Sequence, residues 1–474
     1  MTDLDQDLCY TPATVLAAAI RAKQLSPVEL VRSIYARLHE INGRINAFCT
    51  LMEEEATRVA KEAETAVMRG NRLGLLHGIP VSIKDLLFTC GIRTMSGSRT
   101  RENYVPTEDA PAVAKVIAAG AILIGKTTTP EFGFKGVTDS PLTGITRNAW
   151  DTNKTAGGSS GGAGAAVASG LGPLALGTDG AGSIRIPASF NGIFGLKPSY
   201  GRVAIYPPNP VPFLSHVGPM TRTVRDSALL LSVIAGPDER DLLSLPADPK
   251  DYLAACEGGI RGLRVAWSPT LGYAKVDNEV AGITNAAARS FEKTLGCCVE
   301  VADPGFDSQH RQFAILWTMS YALRFRALLE EWGSRMDLDL VTLIKGASRF
   351  GPDDFADALA TRSALWHKTR EFFERFELLL LPTLPVPAFA AGASAPEEMA
   401  GTSGPIPPFP DWIPFTYPWN LTGQPAATIP CGFTRNGLPV GLQIVGRRLA
   451  DATVLRAAAA FEDAYPWAHQ RPML

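Results

Sequence analysis

Gly157-Gly158-Ser159-Ser160-Gly161-Gly162 and Gly177-Thr178-Asp179-Gly180-Ala181-Gly182-Ser183-Ile184-Arg185-Ile186-Pro187 are the two stretches that decide how this chain is read. Residues 163–169 between them are very small and read as a helix; residues 174–177 read as a buried strand. Two Gly-Ser loops therefore flank one helix and one strand, with Ser159 and Ser183 24 positions apart. Glycine at this density marks backbone that takes φ > 0 or passes close to another group. Either loop alone could be an ordinary tight turn. The full run 157–187 is far more specific.

Working outward, residues 79–85 and 121–125 are short apolar runs with strand character, and Asp109-Ala110-Pro111 opens a helix that stops at Gly120. Alternation of this kind predicts an α/β layered sheet with helices on both faces. The first 70 residues read as helices. Ser26-Pro27-Val28-Glu29 is a capping box with Pro at the first helical position, opening a helix to about residue 41, and a second helix covers 53–69. Thr434-Arg435-Asn436-Gly437 reads as a hairpin turn, and 451–462 as a closing helix. The stretch 240–400 is helical at 309–332 and 353–376. Residues 385–418 form a Pro-, Gly-, Ala- and Ser-rich loop that carries Phe409, Trp412, Phe415, Tyr417 and, just beyond it, Trp419. Such a loop is expected at the surface or as a lid. With no linker and no repeat, 1–474 reads as one large domain: a helical part (1–70), a core (79–225), substrate-side helices (240–400) and a lid-like loop (385–420).

Composition narrows the function. The 474 residues are 46% hydrophobic and 19% charged, with a net charge of −2, so a basic footprint for nucleic acid or an anionic membrane is not expected. Residues 1–10 lack the basic start of a secretory signal, and no apolar run approaches the ~20 residues of a membrane span. The seven scattered cysteines lack a C-x-x-C pair, and the six histidines lack metal-ligand spacing. A reduced, cytoplasmic protein with no metal and no cofactor is the expectation. His216, near a Gly-Pro turn, is read as packing.

Two further motifs compete. Residues 120–127 match G-x-x-x-x-G-K-T, the phosphate-binding loop. That motif needs a strand, then a loop, then a helix at its Lys-Thr, whereas here 121–124 are themselves read as strand. A nucleotide-binding protein is kept as the rival from a different class. Ser290-Phe-Glu-Lys293 matches S-x-x-K without the companion motifs and is read as a solvated helical face.

The two loops, together with Gly195-Leu-Lys-Pro198, Pro80-Val-Ser-Ile-Lys-Asp85, Gly218-Pro219-Met220 and Asn420-Leu-Thr-Gly-Gln-Pro425, resemble the amidase signature family over most of the chain. The resemblance is weakest at 240–400. It implies a single α/β domain around a large, mixed, twisted central sheet, and a Ser-Ser-Lys triad. Ser183 matches the nucleophile, Ser159 the bridging serine and Lys84 the base. A lysine at its reference pKa of about 10.4 is protonated at neutral pH, so burial must favour the free amine. The resemblance places the oxyanion hole at the N–H groups of Gly180, Ala181, Gly182 and Ser183. It gives Gly158, Ser160, Asp179 and Arg185 scaffold roles, with a cis bond at Gly158–Ser159. The family more often carries Gly where Ala181 stands, and a positive φ there would strain the loop.

Three functions follow. The first is a stand-alone amidase for hydrophobic or aryl amides, extending to esters or carbamates, with a small-molecule substrate, no nucleic-acid or membrane partner and room for a homodimer. The second is the glutamine-hydrolysing component of a tRNA-dependent amidotransferase, its A-type chain. That component usually has Ser-Leu-Asp-Gln before the Gly-Pro, whereas this chain has Phe213-Leu-Ser-His216. The third is the nucleotide-binding rival.

Overall fold

The short apolar runs become strands of a central sheet in the computed structural model, which describes residues 3–209, 211–399 and 412–474. In chain order the strands are β1 (Phe48–Leu51), β2 (Pro80–Lys84), β3 (Ile122–Thr127), β4 (Asp139–Ser140), β5 (Gly144–Ile145) and β6 (Leu174–Asp179). They continue with β7 (Phe194–Lys197), β8 (His216–Thr221), β9 (Arg264–Trp267), β10 (Cys298–Val301), β11 (Leu378–Pro382), β12 (Ala426–Phe433) and β13 (Pro439–Gly446). Among the described residues, eleven of these form one sheet in the order β1-β3-β2-β6-β8-β7-β12-β13-β11-β9-β10. The sheet is mixed: β3, β2 and β6 are parallel neighbours, while β8, β7, β12 and β13 pair antiparallel.

Both faces of this sheet are covered. Along β11, Leu378 and Leu380 enter one hydrophobic cluster, Leu379 and Leu381 the other. That two-residue alternation is what a strand buried on both sides requires. The first cluster gathers the N-terminal helix Pro27–Ile45, with its capping box at Ser26, and the closing helix Asp451–Ala464. The second gathers the helices His310–Phe325 and Pro352–Arg375. Parallel β2 and β6 end at the same edge of the sheet, which brings Lys84 beside Thr178 and the loop that follows it. Binding sites in α/β sheets characteristically gather at such carboxyl ends.

Several expectations change. Strand β3 runs through Thr127, so Gly125-Lys126-Thr127 is strand and not a phosphate loop. Lys126 is buried and donates to the Leu87 carbonyl (2.6 Å) and to the hydroxyls of Thr89 and Thr94 (2.9 Å each). Ser290 is not on a solvated face: it is buried in the helix Asn278–Lys293 and bonds the Ala287 carbonyl. The helix expected at 309–332 breaks after Phe325 into a 3₁₀ turn and the short helix Leu329–Trp332. Of the lid-like loop, 400–411 with Phe409 lies outside the described residues. Trp412, Phe415, Tyr417 and Trp419 are buried in the second cluster, Trp412 stacked on Phe190 and Tyr417 on Phe313. Among the described residues no helix is long and apolar enough to cross a membrane, and no group of three His, Cys, Asp or Glu is placed to hold a metal.

Because three acceptors converge on the Lys126 amine, Lys126→Met should lower unfolding stability by about 1–3 kcal/mol in urea. Calorimetry of the wild-type chain with magnesium and ATP should register no binding. Saturable binding abolished by Lys126→Met would restore the nucleotide reading.

Candidate active site

Lys84, the last residue of β2, is fully buried. Its amine lies 2.7 Å from Ser159 Oγ, 2.9 Å from Ser160 Oγ and 2.9 Å from Thr178 Oγ1. Among the described residues no carboxylate touches it; its chain neighbour Asp85 faces away and accepts from the Met95 N–H. Burial pushes the Lys84 amine well below its ordinary pKa, against the raising pull of Asp179. A neutral amine has two N–H donors and one lone pair. The Ser160 hydroxyl donates to the Thr178 carbonyl, at 3.1 Å, so towards Lys84 it can only accept. If Thr178 Oγ1 accepts the second amine hydrogen, the lone pair is left for the Ser159 hydroxyl.

The segment carrying Ser159 enters through a cis bond at Gly158–Ser159, as the resemblance implies. Gly158 is required by close approach: a Cβ there would stand 2.6 Å from the Val137 backbone. The helix Gly161–Ala168 then carries the chain away. Ser160 N–H donates to the Ser183 carbonyl at 3.1 Å, tying the two loops together beside Ser159. The Ser183 hydroxyl has no hydrogen-bond partner among the described residues.

Asp179 and Arg185 form the frame of the second loop. Both are fully buried, and Arg185 Nε and Nη2 each reach the Asp179 carboxylate at 3.0 Å. Burial alone would raise the Asp179 pKa, but the Arg185 charge and its hydrogen bonds overcome that and hold it well below the usual range. The carboxylate also accepts the N–H groups of Gly182 (2.7 Å) and Ile184 (3.2 Å). This corrects the expected oxyanion hole. The Gly182 N–H is committed to Asp179, whereas those of Gly180, Ala181 and Ser183 have no acceptor among the described residues. Gly182 serves through its backbone: φ is +125°, and a Cβ would stand 2.6 Å from Thr416 Oγ1. Ala181 does not take a positive φ, so the expected strain is absent. Its carbonyl accepts the Thr416 hydroxyl at 2.6 Å.

Several residues escaped the sequence reading. Thr178 touches Lys84 although it stood inside the glycine-rich motif without a role. Asn420 donates to both the carbonyl and the carboxylate of Asp179 and accepts from Arg185, while Gln443 and the Thr416 carbonyl accept from the other guanidinium nitrogen. Trp317, from the helix His310–Phe325, lies over Gly180, where a Cβ would meet its ring at 2.9 Å. His216 is buried in a polar network, not merely packed: Nδ1 lies 2.8 Å from the Leu214 carbonyl and Nε2 3.3 Å from Lys197 Nζ. Burial and the neighbouring Lys197 push its pKa well down. Thr178 and His216 also line a narrow cleft of about 70 Å³ walled by Leu86, Phe88, Phe132 and Phe325. Phe132 takes φ of 51° and stacks on Phe325 with centroids 4.1 Å apart.

The chain matches the family model described as Amidase over residues 29–455. It is 40% identical to an acylamidase of Rhodococcus erythropolis, covering 99% of this chain and 98% of that one. It is 37% identical to the A-type chain of the glutamyl-tRNA(Gln) amidotransferase of Geobacillus thermodenitrificans, covering 97% of this chain and 98% of that one. The solved structure of a bacterial aryl acylamidase of the amidase signature enzymes superposes with a TM-score of 0.91 at 32% identity, covering 98% of this chain and 99% of that one.

Removing the Asp179 charge strands Arg185 in the interior. Asp179→Asn should cost about 3–5 kcal/mol of stability, the usual penalty for breaking a buried pair. Hydrogen exchange at the amides of 180–184 should accelerate in the same variant. Unchanged exchange there would mean that the carboxylate does not hold the loop.

Proposed function

The chain belongs to the amidase signature family, and from that premise we propose that it hydrolyses carboxylic amide C–N bonds through an acyl-enzyme on Ser183. The observation that carries this reading is the buried Lys84 amine, bonded to three hydroxyls and, among the described residues, to no carboxylate. Ser183 Oγ attacks the amide carbonyl. Its proton passes to Ser159 Oγ as the Ser159 proton passes to the Lys84 lone pair. The oxyanion is met by the free N–H groups at Gly180, Ala181 and Ser183, each worth about 3 kcal/mol in such a hole. Collapse expels the amine, which takes its proton back from Lys84 through Ser159. Water then attacks the acyl-enzyme with the same groups relaying its proton, releasing the acid.

For substrate we propose apolar and aryl amides. The cleft beside Thr178 has aromatic and aliphatic walls, and the similar proteins include an acylamidase and an aryl acylamidase. Esters and carbamates enter the same acyl chemistry. The amidotransferase reading is the second choice. Its name is carried by a similar protein, but His216 stands at the cleft where that component usually has Gln.

A hydrolysis screen of anilides, aliphatic amides, glutamine, esters and carbamates tests the substrate class. Anilides should be the fastest amides; glutamine as the sole amide turned over would favour the second reading. Ser183→Ala should lose labelling by a fluorophosphonate probe, and full labelling of that variant would remove Ser183 from the role.

The base makes a pH prediction. Below its pKa in the fold Lys84 is an ammonium and cannot accept a proton, so kcat/KM should rise with pH on the acid limb. Because burial lowers that pKa, turnover should already be substantial at neutral pH and persist under alkaline conditions. Lys84→Arg should be nearly inactive, since guanidinium stays charged. Near-normal turnover by purified Lys84→Arg would contradict a neutral lysine base.

A further inference from the structure

The narrow cleft beside the triad carries charge as well as aromatic walls. Arg101 and Arg324 both line it, together with Thr178, whose hydroxyl touches the Lys84 amine. Arg101 is half-buried in the 3₁₀ turn Arg99–Arg101. Its guanidinium lies over three rings: Phe88 at 5.8 Å, Tyr104 at 5.4 Å and Phe132 at 5.5 Å. Its one side-chain hydrogen bond among the described residues is a long one, 3.4 Å, to Ser96 Oγ. Arg324 comes from the last turn of the helix His310–Phe325 and is exposed. Among the described residues neither arginine forms an ion pair with a carboxylate. The ionisable neighbours acting on Arg101 are the Tyr104 phenol and Arg324, and Arg324 acts against it.

Two cations thus share one cleft without a carboxylate partner among the described residues. A guanidinium partly withdrawn from water normally finds a carboxylate, because its lost hydration must be replaced. The aromatic rings replace a part of it. They also fix the plane of the Arg101 fork, which suits two-point binding of a carboxylate. Some surface arginines elsewhere are ion-paired, among them Arg225 with Asp463 and Arg240 with Asp238. At the cleft, neither guanidinium has a carboxylate partner among the described residues, and Thr178, which touches the Lys84 amine, lines the same space.

We propose that Arg101 and Arg324 form a subsite for a carboxylate carried by the substrate, so that the preferred amides are acidic: an apolar or aryl body in the cleft with a carboxylate held away from the scissile bond. This rests on the amide-hydrolase reading and names its substrate class more closely. Arg101 fixes the orientation of the anion; Arg324, at the exposed rim, attracts it and adds the second charge.

Two matched pairs test it, one with the carboxylate on the amine side (4-acetamidobenzoate against acetanilide) and one on the acyl side (succinanilate against butyranilide). In the wild-type enzyme the acidic member of at least one pair should have the higher kcat/KM, by roughly ten- to a hundredfold, the range for a hydrogen bond to a charged group. Arg101→Met should erase that preference, read as the ratio of kcat/KM for the acidic over the neutral member of the same pair. Arg324→Gln, at an exposed position, should reduce the preference several-fold, mainly through KM. Equal rates within both wild-type pairs overturn the subsite, as does a preference that survives in both variants. Should none of the four amides be hydrolysed, the amide reading fails, and the subsite is judged by calorimetry with 4-acetamidobenzoate. Binding to wild type that weakens about tenfold or more in Arg101→Met supports it. Equal binding to both, or binding to neither, overturns it.

Discussion

The buried ion pair of Asp179 and Arg185 is the joint on which the site depends. Taking both charges out of water is costly, and the cost is offset only because nearly every donor and acceptor finds a partner. The carboxylate collects Gly182, Ile184, Arg185 and Asn420; the guanidinium spends its remaining hydrogens on Thr416, Asn420 and Gln443. Three stretches far apart in sequence, at 179–185, 416–420 and 443, are thereby clamped at one point. The loop that bears Ser183 has its backbone direction set by this clamp. Neither charged group needs to touch a substrate for the chemistry to depend on both.

The same pair shapes the electrostatics of Lys84. Asp179 pulls the Lys84 pKa upward, but its charge is shared with Arg185, and burial of the amine prevails. Two other fully buried lysines sharpen the point. Lys126, pushed down to about 8 by burial against the pull of Asp85, is occupied by a carbonyl and two threonines. Lys197 is also pushed well down by burial and donates to the carbonyls of Gln424 and Pro198. Burial alone therefore does not make a base. Lys84 differs in that all of its partners are hydroxyls, two of which sit on the segment bonded to the Ser183 loop.

What the sequence revealed follows the range of the interactions involved. The Gly-Ser loops, the lysine strand, the capping box at Ser26 and the hairpin at 434–437 are set by local rules, and each lies where those rules put it. The hydrogen-bond bookkeeping was not legible. Glycine density announced a special backbone at 180–183, yet only the position of the Asp179 carboxylate reveals that the Gly182 N–H is spent. The loop carrying the aromatic residues at 412–419 reads as surface or lid, yet they are buried, because of partners such as Phe190 and Phe313 more than 90 residues away in sequence. The match to a phosphate loop failed because β3 continues through the Lys-Thr, a consequence of its pairing with β2.

The division between legible and illegible parts is also a division of labour. Bond cleavage needs a few groups at fixed short distances, and neighbouring parallel strands with glycine-rich connections supply them from about a hundred consecutive residues. Apart from Thr178, the cleft proposed to take the substrate draws its walls from 86–101, 132, 205–217 and 324–325. Those segments obey no shared motif. They meet where the helix His310–Phe325 lays Phe325 on Phe132 and Trp317 over Gly180. Phe132 is held there in a backbone conformation uncommon for a large side chain, with its N–H on the Ser96 carbonyl and its own carbonyl accepting the Tyr321 hydroxyl. Strain of this kind persists only where surrounding contacts over-determine it. Here those contacts join the helix to the wall of the cleft, while Lys84 and the two serine segments are held by a separate set of hydrogen bonds. On the proposed reading, the cleft that selects the amide and the groups that break it rest on different parts of the fold and meet at Thr178.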